Sequence, residues 1–172
     1  MAAIKSKKFI LRPYRKGDES NIVDYLNDKN VSKYLSSAPN PYKARHAKEW
    51  IRKCVRADRR KKKKFLSFAI EAKGKVIGGI GFDHILNHTA EIGYALGKKH
   101  WNRGVVSEAI RLVTDFGFEQ LKLKKITAHI FPKNRASARV LEKNGYKLEG
   151  LLKEHHLKDG KKHDALLYSK IK

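Results

Sequence analysis

The chain has 172 residues, of which 41% are hydrophobic, so it is long enough for one domain with a sizeable core and is not disordered by composition. Its single cysteine, Cys54, excludes an internal disulfide and leads us to expect a reducing compartment such as the cytoplasm. The 40 Lys and Arg residues against 17 Asp and Glu residues leave a net charge of +23, which attracts cofactor phosphates, acidic peptides or RNA.

The N-terminal end carries charged residues without an apolar stretch before them, so we expect no secretory leader. No apolar run reaches the length of a membrane span. The densest basic run, residues 59–64, has two interpretations. It is either a patch for RNA or an acidic partner, or a solvated helix end whose cations favour the C-terminal dipole. Both remain open, because positive charge is spread over the whole chain.

The N-terminal third predicts one strand and then helices. The strand covers residues 9–13. A helix follows Asp18, whose carboxylate is expected to cap it, and runs to Leu26; a further turn or two include residues 31–35. Apolar residues at helical spacing predict a long helix over 43–59. Cys54 lies on its apolar side and is interpreted as a buried core residue rather than a nucleophile.

The middle of the chain predicts three strands. The first two, 65–72 and 76–82, are joined by a turn at Gly74 and Lys75. Gly78, Gly79 and Gly81 in the second strand indicate a bulge or a close approach of backbone. A third strand, 89–96, alternates its two faces. One face carries Ile92, Tyr94 and Leu96, and the other carries Glu91, Gly93 and Ala95.

The C-terminal third predicts a helix over 105–121, a strand over 125–131, and a short helix over 134–143 that Asn134 caps and Gly145 stops. Two closing strands, 146–152 and 163–171, flank a turn at Asp159 and Gly160. With no linker or internal repeat, residues 1–172 are expected to form a single domain. The order β-α-α-α-β-β-β-α-β-α-β-β indicates a mixed α/β fold.

The most informative stretch is residues 91–109, where a strand feeds a glycine-containing loop that opens a long helix. The first N–H groups of such a helix lack partners and, with the helix dipole, form an anion site. Gly104 lets the backbone approach a pyrophosphate, Arg103 adds a fixed charge, and Ser107 adds a hydroxyl donor. The spacing matches neither a P-loop nor G-x-G-x-x-G, and on these grounds alone a plain turn explains it equally well.

This stretch resembles the pyrophosphate motif of the GNAT superfamily, and most closely its RimJ/RimL type. That type joins a Glu-Ile-Gly-Tyr strand, here residues 91–94, to Trp-Gly-Lys-Gly-Tyr-Ala-Thr-Glu-Ala, here residues 101–109. Residues 9–13, 134–146 and 159–168 resemble the family's Leu-x-Leu-Arg-Pro opening, its Asn-x-x-Ser-x-x-Val-Leu-Glu-Lys-x-Gly-Phe segment and its closing hairpin. Asn102 replaces a usual glycine and Val106 a usual alanine or glycine. Val106 would weaken binding if its side chain faced the diphosphate.

The resemblance implies an α/β GNAT fold with a mixed, mostly antiparallel central sheet flanked by helices and the cofactor in the splay between central strands. It implies an N-acetyltransferase that uses acetyl-CoA and needs no metal. The protein is then expected to be cytoplasmic, to be a monomer or a homodimer, and to have no membrane partner. The implied acceptor is the N-terminal α-amine of a protein such as a ribosomal protein, and weak association with ribosomal RNA stays open. The implied cofactor-binding residues are Tyr94, Ala95, Leu96, Trp101, Asn102, Arg103, Gly104, Val105, Val106, Ser107, Asn134 and Lys143.

Glu91 is the candidate general base, because the family favours a glutamate there that often acts through water. His84 and His88, in the preceding loop, are rivals because imidazole titrates near neutrality. At pH 7.5 neutralising a lysine costs about 4 kcal/mol, against about 0.5 kcal/mol for an α-amine. A weak, water-mediated base therefore favours an α-amine as the acceptor.

The candidate acid is Ser137. Many GNAT enzymes place a proton-donating tyrosine seven residues after the asparagine that corresponds to Asn134, but this chain has Leu141 there. The RimJ/RimL pattern offers Ser137, which can hydrogen-bond the sulfur and relay a proton, although serine is also common in a first helical turn. Asn134 is either a ligand of the cofactor arm or a plain N-cap.

Two alternatives remain. One is a small-molecule N-acetyltransferase of the same fold that acts on a polyamine or an antibiotic amine, although a polyamine favours an acidic pocket and this chain has few carboxylates. The other is a ribosome- or RNA-binding protein that has lost catalysis, which the charge and the changes at Asn102 and Val106 favour. The presence of Glu91, Asn134 and Ser137 argues against it.

Overall fold

A computed structural model describes residues 2–60 and 62–172. Met1, and Lys61 in the basic run, lie outside the described residues. The strands are β1 (Ile4–Lys5), β2 (Ile10–Pro13), β3 (Leu66–Ala72), β4 (Lys75–Leu86), β5 (Thr89–Leu96), β6 (Lys125–Ile130), β7 (Lys147–Lys158) and β8 (Lys161–Ile171). The helices are α1 (Glu19–Leu26), α2 (Lys29–Ser32), α3 (Ala44–Arg59), α4 (Val105–Glu119) and α5 (Arg135–Lys143). Apart from the two-residue β1 and a 3₁₀ turn at 98–100, this is the predicted order.

In the described part of the chain these strands form one sheet in the order β1-β2-β3-β4-β5-β6-β8-β7. All neighbours are antiparallel except β5 and β6, which are parallel. Their register holds only from Thr89↔Lys125 to Glu91↔Thr127. Beyond it the C-terminal halves of β5 and β6 do not pair with each other, and we call this opening the β5–β6 gap. The mostly antiparallel mixed sheet that the resemblance implies is confirmed.

Two apolar clusters cover the two faces of the sheet. The main core packs α4 and α5 on one face, with Ile110, Val113 and Leu141 fully buried. A smaller cluster joins α1 and α3 to the other face and includes Cys54. Burial raises the pKa of the Cys54 thiol to about 12, which fits its interpretation as a core residue. Over the described residues, no helix combines the length and apolar character that crossing a membrane requires.

The glycines of β4 permit close backbone approach, as predicted. A Cβ at Gly81 would lie 2.7 Å from the Cα of Ser67 on β3. A Cβ at Gly78 would lie 3.1 Å from the Cα of Leu96 on β5. Real Cβ atoms make few contacts this short, so larger side chains would push β4 away from its neighbours. The glycines thus keep β5, the strand at the centre of the site, tightly paired with β4.

The predicted capping role of Asp18 is wrong. Asp18 precedes α1, but its side chain makes no cap. Its carboxylate accepts two 2.8 Å hydrogen bonds from the guanidinium of Arg12, whose Nε donates to Glu71 at 2.6 Å. Arg12 is only 8% exposed, and a buried cation requires carboxylate partners. Arg12 therefore binds the Asp18 carboxylate, which is then not available to cap α1.

The closing hairpin is longer than predicted. The sequence pattern ended the first strand at residue 152, because residues 153–158 are mostly polar and do not alternate. In the structure Leu157 pairs with Lys162 across the hairpin, and the two turn residues, Asp159 and Gly160, have φ values of 50° and 72°, the backbone of a tight two-residue turn. Lys158 Nζ donates to the carbonyl of Leu35 at 2.9 Å. The hairpin tip is thereby held against the segment that follows α2.

Candidate active site

The N-terminus of α4 is a potential anion site. Gly104 precedes it with φ of 74°, and no side chain caps the helix, so its first N–H groups are available. Asn102 also has a positive φ, 59°, which asparagine tolerates better than most residues. Val106 packs against the main core, so its β-branched side chain is accommodated by the protein interior. Neither departure from the family motif disrupts the loop.

A cation missed by the sequence analysis adds to this site. Lys8, from the loop before β2, donates through Nζ to the carbonyl of Arg103 at 3.1 Å. The same Nζ would lie 3.4 Å from a Cβ on Gly104, so it lies directly over the loop. Arg103 is itself exposed. The pKa of the nearby His100 is lowered mainly by burial and further by the charges of Arg103 and Lys99. The surroundings of the α4 N-terminus are thus strongly positive, as a diphosphate requires.

Helix α5 connects this anion site to the middle of β5. Asn144, just after α5, donates through Nδ2 to Ser107 Oγ at 3.2 Å, so the C-terminal end of α5, with Lys143, lies beside the first turn of α4. Ser137, in the first turn of α5, is seven residues earlier, or about 10 Å at the helical rise of 1.5 Å per residue. The C-terminal end of α5 therefore lies beside the predicted phosphate-binding loop, and its first turn carries the predicted acid, Ser137.

The free edge of β5 faces the β5–β6 gap. Gly97 donates its N–H to a carbonyl oxygen of β4 at 2.9 Å, so by the alternation of strand backbone Ala95 also directs its polar groups to β4. Tyr94 and Leu96 direct theirs into the gap. Trp101 Nε1 donates to the Leu96 carbonyl at 2.8 Å and occupies that group. The N–H of Tyr94 is thus a backbone donor that no neighbouring strand satisfies.

A pair of hydroxyl groups lies on the α5 side of β5. A hydrogen bond of 2.6 Å joins Tyr94 Oη to Ser137 Oγ. The backbone N–H of Ser137 donates to Asn134 Oδ1 at 3.2 Å, which confirms Asn134 as the helix cap. Burial raises the pKa of Tyr94 to about 12, although the bond to Ser137 acts in the opposite direction. Leu141 is fully buried in the main core and offers no polar group.

Glu91 lies on the opposite face of β5, three positions before Tyr94. Its Oε1 is 3.0 Å from His129 Nδ1, a short contact that is electrostatic rather than a well-aligned hydrogen bond. Burial disfavours the ionised carboxylate, but His129, His84 and His155 outweigh burial, and the pKa of Glu91 stays below its ordinary value. Glu91 is therefore an ionised, weak base at neutral pH.

Histidines surround this face of the site. The rings of His129 and His155 are 4.5 Å apart, and those of His155 and His156 are 5.1 Å apart. Phe131 packs against His156 at 4.7 Å and against His163 at 5.6 Å. We call His129, His155, His156 and His163 the histidine cluster. Within residues 2–60 and 62–172, no group of His, Cys, Asp and Glu is arranged to hold a metal ion.

The histidine cluster was missed because it depends on tertiary register. The sequence analysis considered His84 and His88, which are both exposed, and only His84 influences Glu91. His129 reaches Glu91 because parallel pairing places Thr127 opposite Glu91 and His129 two residues further on the same face. His155 and His156 lie in the part of β7 that the sequence pattern did not predict. Knowledge of the β5–β6 pairing would have identified His129.

Comparisons with known proteins are consistent with these features. The family model described as acetyltransferase (GNAT) domain matches residues 8–147. The uncharacterized N-acetyltransferase p20 of Bacillus licheniformis is 30% identical over 174 residues, which cover 100% of this chain and 97% of the relative. The ribosomal-protein-serine acetyltransferase of Escherichia coli strain K12 is 33% identical over 106 residues, which cover 60% of this chain and 59% of that protein.

The fold also matches solved structures. RimL, a ribosomal L7/L12 alpha-N-protein acetyltransferase solved in complex with coenzyme A, superposes with a TM-score of 0.88 over 99% of this chain and 98% of that chain. The two sequences are 19% identical, so this likeness concerns the fold.

Proposed function

Because this chain belongs to the GNAT acetyltransferase family and is an acetyl-CoA-dependent N-acetyltransferase, we propose that its acceptor is the N-terminal α-amine of a protein. The observation that carries the proposal is the 3.0 Å contact between Glu91 Oε1 and His129 Nδ1, which helps to hold the pKa of Glu91 below its ordinary value and so makes it a weak base. A weak base suits an α-amine, which is already partly neutral near pH 7.5, far better than a lysine. The partial likeness to a ribosomal-protein-serine acetyltransferase supports a ribosomal protein as the acceptor.

The described residues fit the co-substrate. Gly104 leaves the N–H groups of α4 open, and Lys8 and Arg103 bring positive charge for the diphosphate. The β5–β6 gap offers the N–H of Tyr94 to the pantetheine arm or to the thioester carbonyl, as an oxyanion hole would. Acetyl-CoA, when bound, supplies the acetyl group as a thioester. Asn134 keeps an amide N–H₂ free after capping α5, so it can serve both the helix and the arm.

Each face of β5 has one task in this proposal. Glu91 accepts the proton that the amine loses, directly or through a water molecule, and His129 holds the carboxylate ionised and in place. On the other face Ser137 donates a proton toward the sulfur. Glu91 and Tyr94 are three positions apart in a strand, so their side chains lie on opposite faces. The base and the hydroxyl pair therefore do not contact each other and approach the reacting centre from opposite sides.

The polyamine alternative receives less support from the acceptor face. A polyamine carries several positive charges and binds best among several carboxylates. Glu91 has one carboxylate, Asp83, as its cross-strand neighbour on β4, and His129 of the histidine cluster lies 3.0 Å from Glu91. Histidines do not attract a polycation, and they repel it when protonated.

An acceptor panel tests the proposal. At matched concentrations, a peptide with a free Ser, Ala or Thr terminus, the same peptide blocked at its terminus with an internal lysine, and spermidine are each incubated with enzyme and acetyl-CoA. We expect acetylation of the free-terminus peptides and a fall in turnover of about 10²- to 10⁴-fold in Glu91→Gln, the size of a general-base contribution. Faster acetylation of the lysine peptide or of spermidine contradicts the proposal, and no acetylation of any acceptor favours the RNA-binding alternative.

A further inference from the structure

Ser137 is hydrogen-bonded to a second hydroxyl, that of Tyr94. Tyr94 Oη and Ser137 Oγ are 2.6 Å apart, and they come from different elements, strand β5 and helix α5. We propose that Tyr94 supplies the proton that Ser137 passes to the departing sulfur, so that a strand tyrosine performs the role for which the helix, with Leu141, has no residue. This inference rests on acetyl transfer from acetyl-CoA and not on which amine is the acceptor.

The relative acidity of the two hydroxyls determines the order in which they transfer protons. Acetyl transfer forms a bond between the amine nitrogen and the acetyl carbon and breaks the carbon–sulfur bond, so nitrogen loses one proton and sulfur gains one. A serine that protonated the sulfur alone would become an alkoxide, whereas a phenol is a much stronger acid than an alkyl hydroxyl. If Ser137 gives its proton to sulfur and takes one from Tyr94, the negative charge ends on the phenolate. Solvent then restores the proton to Tyr94.

The surroundings of Tyr94 favour a neutral phenol before the reaction. Burial raises its pKa to about 12, so the proton is present across the whole neutral range. Ser137 is the polar side chain that its hydroxyl contacts. Burial is the largest of the influences that raise the pKa of Tyr146, and Tyr94 is a smaller one. Ser137 is itself 8% exposed and fixed by the cap from Asn134, so the relay is preorganised.

The chain contains a matched control for this pair. Tyr146 Oη, from the residue just before β7, and Thr114 Oγ1 of α4 form a second tyrosine–hydroxyl contact at 2.7 Å, which is also buried but lies inside the core. Removing either phenol hydroxyl leaves a partner hydroxyl unsatisfied and costs stability of a similar kind. Only the loss at Tyr94 should affect proton transfer.

Steady-state kinetics of the two tyrosine variants are the first test. We expect Tyr94→Phe to lower kcat about ten- to hundredfold with little change in KM for acetyl-CoA, and Tyr146→Phe to leave kcat within about twofold. Replacement of Tyr94 by a fluorinated tyrosine, whose phenol is more acidic, should bring a falling alkaline limb of kcat into the accessible pH range. An unchanged kcat in Tyr94→Phe, or no new limb in the fluorinated enzyme, overturns the proposal.

A binding experiment tests the same contact without turnover. The fluorine signal of 3-fluorotyrosine at position 94 is followed by NMR while coenzyme A, or desulfo-coenzyme A that lacks the sulfur, is added. We expect coenzyme A to shift the signal and desulfo-coenzyme A to shift it much less, and we expect Ser137→Ala to remove the difference. Equal shifts with both compounds in the wild-type background contradict a relay that ends on sulfur, whichever amine proves to be the acceptor.

Discussion

Glu91 and His129 show how a residue's chemistry depends on its neighbour. The carboxylate is half-buried, and burial alone would raise its pKa, but the contact at 3.0 Å with His129 reverses the balance. The alternation of β5 was sufficient to predict that Glu91 faces away from Tyr94. The identity of its partner depends on which strand lies next to β5, and no local pattern encodes that pairing.

Removal of His129 should therefore shift the pH dependence of kcat/KM. In His129→Ala burial remains and the largest opposing influence is lost, so the pKa of Glu91 rises and its base form disappears at a higher pH. We expect the acidic limb of kcat/KM to shift to higher pH relative to the wild type, with the same acceptor in both measurements. His88→Ala, in the exposed loop, should leave the limb in place.

Two results would contradict this account of the pair. An acidic limb at the same pH in His129→Ala means that His129 does not control the ionisation of Glu91. A loss of activity by the same factor at every pH, without a shift, means that His129 supports activity by some means other than the ionisation of Glu91.

At the scale of elements, Arg12 fixes how β2, β3 and α1 meet. Its guanidinium binds Asp18 before α1 and Glu71 at the end of β3, and it is nearly buried. Attraction to Asp18 outweighs the cost of burial, and the pKa of Arg12 is raised above its ordinary value. The sequence motif around Arg12 therefore has a structural role, in a part of the sheet that β3 and β4 separate from β5.

Truncation of Arg12 should be costly. Arg12→Ala leaves two carboxylates without their cation, and we expect the free energy of unfolding in urea to fall by about 3–5 kcal/mol. Arg15 binds the same Glu71 at 3.2 Å, but its side chain is 65% exposed. Arg15→Ala should cost less than about 1 kcal/mol, because exposed ion pairs contribute little. Equal losses in the two variants would show that the buried network does not stabilise the fold.

Local patterns predicted most elements but not their longest-range features. The span of β5 and the cap of α5 by Asn134 depend on a few adjacent residues, and both were predicted. The capping role of Asp18 was predicted wrongly, because a partner six residues earlier competes for its carboxylate. The end of β7, with His155 and His156, required pairing with β8 and support from Leu35, which hydrophobic alternation does not report.

At the scale of the whole molecule, the net charge of +23 has more than one use. Within the basic run Lys63 donates to the Asp58 carbonyl at the C-terminal end of α3, so part of the run stabilises a helix end, as one of the two initial interpretations held. Lys8 and Arg103 place positive charge beside the N-terminus of α4. The remaining surface cations set a long-range field that favours acidic acceptors, and salt screens that field over about 8 Å at physiological ionic strength.

A competition between two amines of one peptide tests whether the acceptor is a protein N-terminus. An acidic peptide with a free serine terminus and one internal lysine is partly acetylated at pH 7.5, and fragmentation mass spectrometry locates the acetyl group. We expect the α-amine to carry it in at least about tenfold excess over lysine, because the reference pKa values separate the two amines by more than two units. We also expect added salt to slow the reaction. Acetylation mainly on the lysine, or on both amines alike, would contradict the assignment of this enzyme to protein N-termini.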